Sequence, residues 1–184
     1  MQLAKQTSTP DELESNEAVK NAVQALIDKE AIRDLAALYC ILRDDNDMEP
    51  LLQTFALGGI FISRGRHITG HDALREWYRG TMRANRFSHH IPHAHVIDLK
   101  SATKATGVVT GSVEYGDGTR FQLGAYRWYD EYEKIDGRWV FTLRHHKWMF
   151  SAPVDELMTI GRDAQRVHLA EGQAIDAELL APAP

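Results

Sequence analysis

Residues 120–150 read RFQLGAYRWYDEYEKIDGRWVFTLRHHKWMF. Apolar and polar side chains alternate on both sides of Asp136-Gly137, the period of two expected of strands. Asp-Gly suits a two-residue type I′ turn, because both positions need a positive φ. The stretch therefore predicts two long antiparallel strands, 120–135 and 138–150. The same period runs through 87–99 and 104–115, and Gly116-Asp117-Gly118 supplies a second tight turn. Four long strands joined by short turns make an antiparallel sheet.

Upstream the period changes to three and four. Ala31, Leu35, Leu38, Tyr39 and Leu42 form one apolar stripe, which predicts a helix from Asp28 to Arg43. Before it, Thr9-Pro10-Asp11-Glu12 resembles a capping box that opens a first helix. After it, Asp44-Asp45-Asn46-Asp47 can cap a short helix through Phe55. Gly58-Gly59 breaks that helix, Ile60-Phe61-Ile62 reads as a short strand, and Gly70 opens a helix to Arg83. Helices first and strands afterwards predict an α+β domain whose helices pack on one face of the sheet. The organisation expected is an N-terminal helical extension over 1–27, the domain itself over 28–150, and a C-terminal helical arm and tail over 151–184.

The chain has 184 residues, 43% hydrophobic and 26% charged, an ordinary globular mix. That excludes collagenous and low-complexity classes, and a chain of this size buries a core without staples. The net charge of −5 comes with no basic stripe, so no nucleic acid partner is expected. The longest wholly apolar run, Leu35 to Leu42, is far below the roughly 20 residues of a membrane span, so no membrane partner is expected either. The first residues carry no secretory pattern, and a cytoplasmic location is the expectation. The one cysteine, Cys40, sits between Tyr39 and Ile41 and reads as core. Trp139, Phe141 and Leu143 alternate with more polar residues. An uncovered sheet face carrying them predicts a homodimer or homotrimer.

Three places hold chemistry-bearing side chains. Tyr39 lies on the inner stripe of the predicted helix, and Asp44 follows at its end, where the helix dipole disfavours a carboxylate. Ser88-His89-His90-Ile91-Pro92-His93-Ala94-His95 holds four of the nine histidines. On a regular strand His89, His93 and His95 share one face and His90 the other. Ligands along one strand face diverge, so no metal site is expected there. In the last strand Arg144 has the parity of Val140 and Thr142. If that face points inward, Arg144 is a buried cation that needs a partner. No phosphate loop, nucleophile elbow, Cys-x-x-Cys or His-Glu-x-x-His motif occurs.

Taken together, Ala31-Ile32-Arg33-Asp34-Leu35, Tyr39, Asp44, Gly70 to Trp77, His90, Ala125-Tyr126, Tyr132-Glu133, Asp136-Gly137-Arg138-Trp139 and Arg144 resemble the SnoaL-like group of the nuclear-transport-factor-2-like superfamily. The resemblance covers residues 28–150 and implies a strongly curved, mostly antiparallel sheet forming a cone with an internal pocket. By likeness to the bile-acid dehydratases of the group, Tyr39, Asp44 and His90 take catalytic positions. By likeness to the hexachlorocyclohexane dehydrochlorinases, Asp44 and His90 form a dyad and Arg144 assists it. A further acid of the dehydratases falls on Val113, and Glu114 points to the opposite face. The resemblance thus implies a lyase or isomerase that abstracts a proton from a small hydrophobic ring compound, without a cofactor. Phe61, Trp77, Tyr78, Tyr126, Trp128 and Trp148 are expected to line its pocket. The same superfamily contains non-catalytic ligand-binding and oligomeric members, such as the β subunits of ring-hydroxylating dioxygenases, and these give the alternative reading.

Overall fold

The computed structural model describes residues 16–158, 160, 165–168, 174–175 and 177. The expected cap at Thr9 lies outside the described residues, whereas residues 16–27 of the expected N-terminal extension are helical. Among the described residues, three helices precede and interrupt a single curved sheet. Helix α1 spans Asn16–Asp44, α2 Met48–Gln53 and α3 Gly70–Ala84. Strands β1 (Phe55–Ser63) and β2 (Arg66–Thr69) form a hairpin before α3. Strands β3 (Phe87–Leu99), β4 (Lys104–Gly116), β5 (Phe121–Ile135) and β6 (Arg138–Pro153) then run antiparallel in sequence. The spatial order is β2-β1-β6-β5-β4-β3, with β1 parallel to β6.

The long strands match their sequence signals closely, and Asp136 and Gly137 take φ of +48° and +78°, as the type I′ turn requires. The helix expected from Asp28 is instead the C-terminal half of one 29-residue helix. Gly58 and Gly59 do not break a helix but sit inside β1. The predicted helical arm is corrected at its described residues. Val154–Glu156 make a single 3-10 turn, and Val167–His168 (β7) and Ala174–Ile175 (β8) pair as strands, β7 alongside β6.

Helix α1 lies across the concave face of the sheet and buries Ile32, Leu35, Ala36, Tyr39 and Cys40. Asp28 is also buried. Trp139 donates to it from Nε1 at 3.0 Å and Lys134 forms an ion pair with it, which ties the helix to the β5–β6 hairpin. Trp139 and Phe141, expected on an exposed face, are 6% and 0% exposed and belong to this core. The reason is a register shift between Glu131 and Tyr132. It offsets the alternation, so Phe141 and Arg144 both point inward while Thr142 does not share their burial.

Large rings fill the concavity, and glycines make room for them. A Cβ on Gly111 would lie 2.6 Å from the ring and hydroxyl of Tyr126, and one on Gly124 would lie 2.6 Å from Trp148. Gly111→Ala is therefore expected to lower stability by about 1–3 kcal/mol through overpacking. Gly58→Ala, with nothing within 4 Å, is expected to stay near neutral. Urea unfolding of the two variants checks this; equal midpoints would contradict it.

Candidate active site

Asp44 ends α1. Asn46 takes the left-handed conformation at φ +58°, which asparagine tolerates, and the Asp47 N–H returns to the Leu42 carbonyl. This stop aims the Asp44 carboxylate at the first residues of β3. His90 donates its ring Nδ1–H to Asp44 Oδ1 at 2.5 Å and its backbone N–H to Oδ2 at 2.7 Å, and Ser88 Oγ donates to Oδ1 at 3.0 Å. Both side chains are 15% exposed. Burial opposes the Asp44 charge, but the bonds from the His90 ring, the His90 backbone and Ser88 outweigh it and hold its pKa below the ordinary value. The dipole cost expected at a helix C-terminus is thus met by local donors.

His90 titrates lower than an ordinary histidine, because burial outweighs the pull of Asp44. The ring is therefore neutral near pH 7. With Nδ1–H committed to Asp44, the lone pair sits on Nε2. Nε2 has no hydrogen-bond partner among the described residues. His90 lines a cavity of about 660 Å³ between α1, α3, the β1–β2 hairpin and the sheet.

Of the expected pocket residues, Phe61, Trp77, Tyr78, Trp128 and Trp148 line this cavity, and so does Tyr39. The Tyr39 and Tyr78 hydroxyls are 3.1 Å apart. Burial raises both phenol pKa values, so both remain protonated. When one donates to the other, one proton is left over for a ligand.

Tyr126 and Arg144 do not reach the cavity wall, a correction to their expected places. Tyr126 is fully buried behind Trp128, whose ring stacks on it at 4.4 Å. Arg144 is 0% exposed and donates to Asp130 through Nε at 3.0 Å and Nη2 at 2.7 Å. Its guanidinium lies 3.9 Å from the Trp128 and Phe141 ring centroids and 4.4 Å from that of Tyr39. The partner that a buried arginine requires is therefore Asp130. A chain of bonds continues from Asp130 to the Tyr132 hydroxyl at 2.8 Å and on to His95 Nε2 at 3.0 Å.

His95 does not share the outward face of His89 and His93. A bulge between Pro92 and His95 inserts one residue and turns His95 inward. His89 and His93 stay exposed beside Glu114 and Ser112. Among the described residues no three His, Cys, Asp or Glu side chains are placed to hold a metal ion. Burial raises the Cys40 thiol pKa to about 12, so it is a packed thiol and not a nucleophile. Val113 pairs with His90 on the inner face, and Glu114 points outward. No helix among the described residues is long and apolar enough to cross a membrane.

Sequence reasoning missed Arg43, Ser88 and His146. Arg43 is 6% exposed, reaches the cavity and donates to Thr81 at 3.1 Å. His146 also lines the cavity. Its signal was the parity it shares with Arg144 and Trp148.

The SnoaL-like domain profile matches residues 24–145. A comparison with curated proteins finds no match by sequence. Among solved structures, the chain is similar to a candidate scytalone dehydratase from Novosphingobium aromaticivorans, with a TM-score of 0.70 and 19% identity over 86% of this chain and 97% of that one. It is similar to a hexachlorocyclohexane dehydrochlorinase, with a TM-score of 0.67 and 19% identity over 72% and 92%. A cystatin-like protein of unknown function from Nostoc punctiforme gives 0.60 and 24% over 66% and 91%. At these identities the likeness is one of fold.

Proposed function

This chain belongs to the SnoaL-like domain family, and from that we propose that it is a cofactor-independent lyase or isomerase in which His90 removes a proton from carbon. The observation that carries the reading is the 2.5 Å bond from His90 to Asp44 at a cavity wall, with Nε2 left open. A neutral imidazole with its far nitrogen on a carboxylate is a general base held in one tautomer. The substrate is a small hydrophobic ring compound, since Phe61, Trp77, Trp128 and Trp148 form much of the wall.

The reaction starts when His90 Nε2 takes a proton from a carbon next to an activating group. The Nε2 lone pair bonds the proton, the C–H electron pair stays on the substrate carbon, and Asp44 stabilises the imidazolium that forms. In an elimination the pair becomes a carbon–carbon double bond as hydroxide or halide leaves with its own bonding pair. The proton held on His90 goes to hydroxide, giving water, or to solvent. In an isomerisation it returns to another carbon. The Tyr39–Tyr78 pair donates its spare hydroxyl proton to the atom where negative charge develops. Arg144 is a positioning residue here. It acts through the Tyr39 ring, whose phenol pKa it pulls down against burial.

The dehydratase and dehydrochlorinase names of the structural neighbours support this reaction class. The His90–Asp44 contact at the cavity wall, with Nε2 open, favours this reading over a non-catalytic module. The test is a panel of cyclic compounds bearing hydroxyl or halide one carbon from an acidic C–H, incubated in deuterated buffer. Turnover or deuterium uptake is expected, and His90→Ala should lower it about 10²–10⁴-fold with an unchanged circular dichroism spectrum. Full activity in His90→Ala would end the proposal.

The pH profile follows from the same nitrogen. The reaction needs Nε2 unprotonated, so kcat/KM should rise with pH along one acid limb and then level. Because burial lowers the His90 pKa, the midpoint of that limb should fall below about 6.5. A limb centred above neutrality would contradict it.

A further inference from the structure

His146 follows Arg144 by two residues on β6 and is 8% exposed, lining the cavity near Phe61 and Trp148. The Trp128 indole donates from Nε1 to His146 Nδ1 at 2.9 Å. An indole nitrogen can only donate, so Nδ1 must present a lone pair and the ring proton must sit on Nε2. Burial, and repulsion from the Arg144 charge, hold the ring neutral, with a pKa pushed down to about 3. Nε2 is buried and has no hydrogen-bond partner among the described residues.

Two histidines thus face one cavity in opposite tautomers. His90 offers a lone pair at Nε2, and His146 offers a proton at its own Nε2. Both pack against the same two rings. His90 lies 6.2 Å from Tyr126 and 6.5 Å from Trp128, and His146 lies 5.2 Å and 6.5 Å from them. A buried donor left unpaired costs the folded chain the desolvation of an unmade bond. A ligand acceptor that meets it recovers that cost. The indole of Trp148 closes edge-on over the imidazole, with centroids 4.5 Å apart. Because Nε2 is covered, one of the rings packed on the imidazole must shift to admit the acceptor.

We propose that His146 is a second catalytic residue, whose Nε2–H hydrogen-bonds to a carbonyl oxygen of the substrate. This rests on the assignment of His90 as the base. When His90 takes the proton from the carbon beside that carbonyl, the C–H pair forms a carbon–carbon double bond and the carbonyl π pair moves onto oxygen. The His146 N–H stays in place and stabilises the oxyanion without giving up its proton. His146 is ringed by Phe61, Tyr126, Trp128 and Trp148, so its one neutral N–H matches a ketone oxygen, while Arg43, Arg64 and Arg66 line the same cavity.

The test uses 1-indanone as the ketone and infrared and ¹⁵N NMR as readouts. In histidine-labelled wild-type protein, His146 should show the Nε2–H tautomer from pH 5 to 8. Finding the proton on Nδ1 overturns the proposal. The carbonyl stretch of bound 1-indanone should move to lower frequency. In His146→Met the thioether sulfur can still accept weakly from Trp128, but no side-chain donor remains. The band shift should then vanish and binding should weaken about tenfold, the equivalent of one neutral hydrogen bond. No saturable binding to wild type, an unshifted band, or a shift retained in His146→Met each overturn it. Should His146→Met fail to fold, the wild-type tautomer and band remain decisive. In His90→Ala the band shift should persist while deuterium uptake is lost, so failure of the base and failure of the donor show in different measurements.

Discussion

Asp44→Asn is expected to lower kcat/KM by about 10³–10⁴-fold while the protein remains folded. The reason lies in what Asp44 accepts. Its two oxygens take the His90 ring N–H, the His90 backbone N–H and the Ser88 hydroxyl. An asparagine has only one oxygen. If its NH₂ faces the backbone, two donors meet. If it faces the ring, His90 must offer Nδ1 as an acceptor and move its proton to Nε2. The base is then blocked in the second case and strained out of line in the first. Steady-state kinetics with circular dichroism checks the expectation. A loss below tenfold in a folded variant would remove Asp44 from the mechanism. A loss that merely tracks unfolding would make it a structural cap.

The largest stability effect is expected at Arg144. Arg144→Met should lower the free energy of unfolding by about 3–5 kcal/mol, because it strands the Asp130 carboxylate in the core. Asp130 is 3% exposed, and among the described residues only the Tyr132 hydroxyl would still donate to its side chain. The guanidinium also packs against three rings, Tyr39, Trp128 and Phe141, so its removal loosens the floor beneath the cavity. For a domain of this size the loss corresponds to a fall in Tm of roughly 10 °C. Arg144→Met together with Asp130→Leu should recover part of it, since replacing both charges removes the stranded one. Urea unfolding of the single and double variants decides the matter. A single variant within 1 kcal/mol of wild type would contradict the account.

The sequence showed its strands more clearly than its helices. Alternation over 120–150 and two tight turns located β5 and β6 almost to the residue, because a two-residue turn leaves the register no freedom. Helix α1 began twelve residues before its expected start. Val19, Val23, Leu26 and Ile27 are exposed there, so no core-facing stripe marks those turns. Bulges caused the other errors. One extra residue after Pro92 turned His95 inward, and one near Thr142 aligned Phe141 with Arg144. Strict alternation cannot anticipate either, since each depends on how neighbouring strands register. Asp44 and His90 were legible only by likeness, 46 residues apart in the chain. His146 carried only the weaker signal of parity, because Arg144 two residues before it supplies a charge that demands a partner, whereas a neutral imidazole does not.

The paired arrangement of ring over glycine has an evolutionary reading. Tyr126 sits above Gly111 and Trp148 above Gly124, so bulk in the hollow is supplied by detachable side groups and not by the course of the main chain. Trimming the Trp148 indole enlarges the chamber without re-threading a strand, whereas a methyl group on Gly124 would press on that indole. The size of molecule admitted is thus open to single codon changes, made at a ring that packs directly on His146.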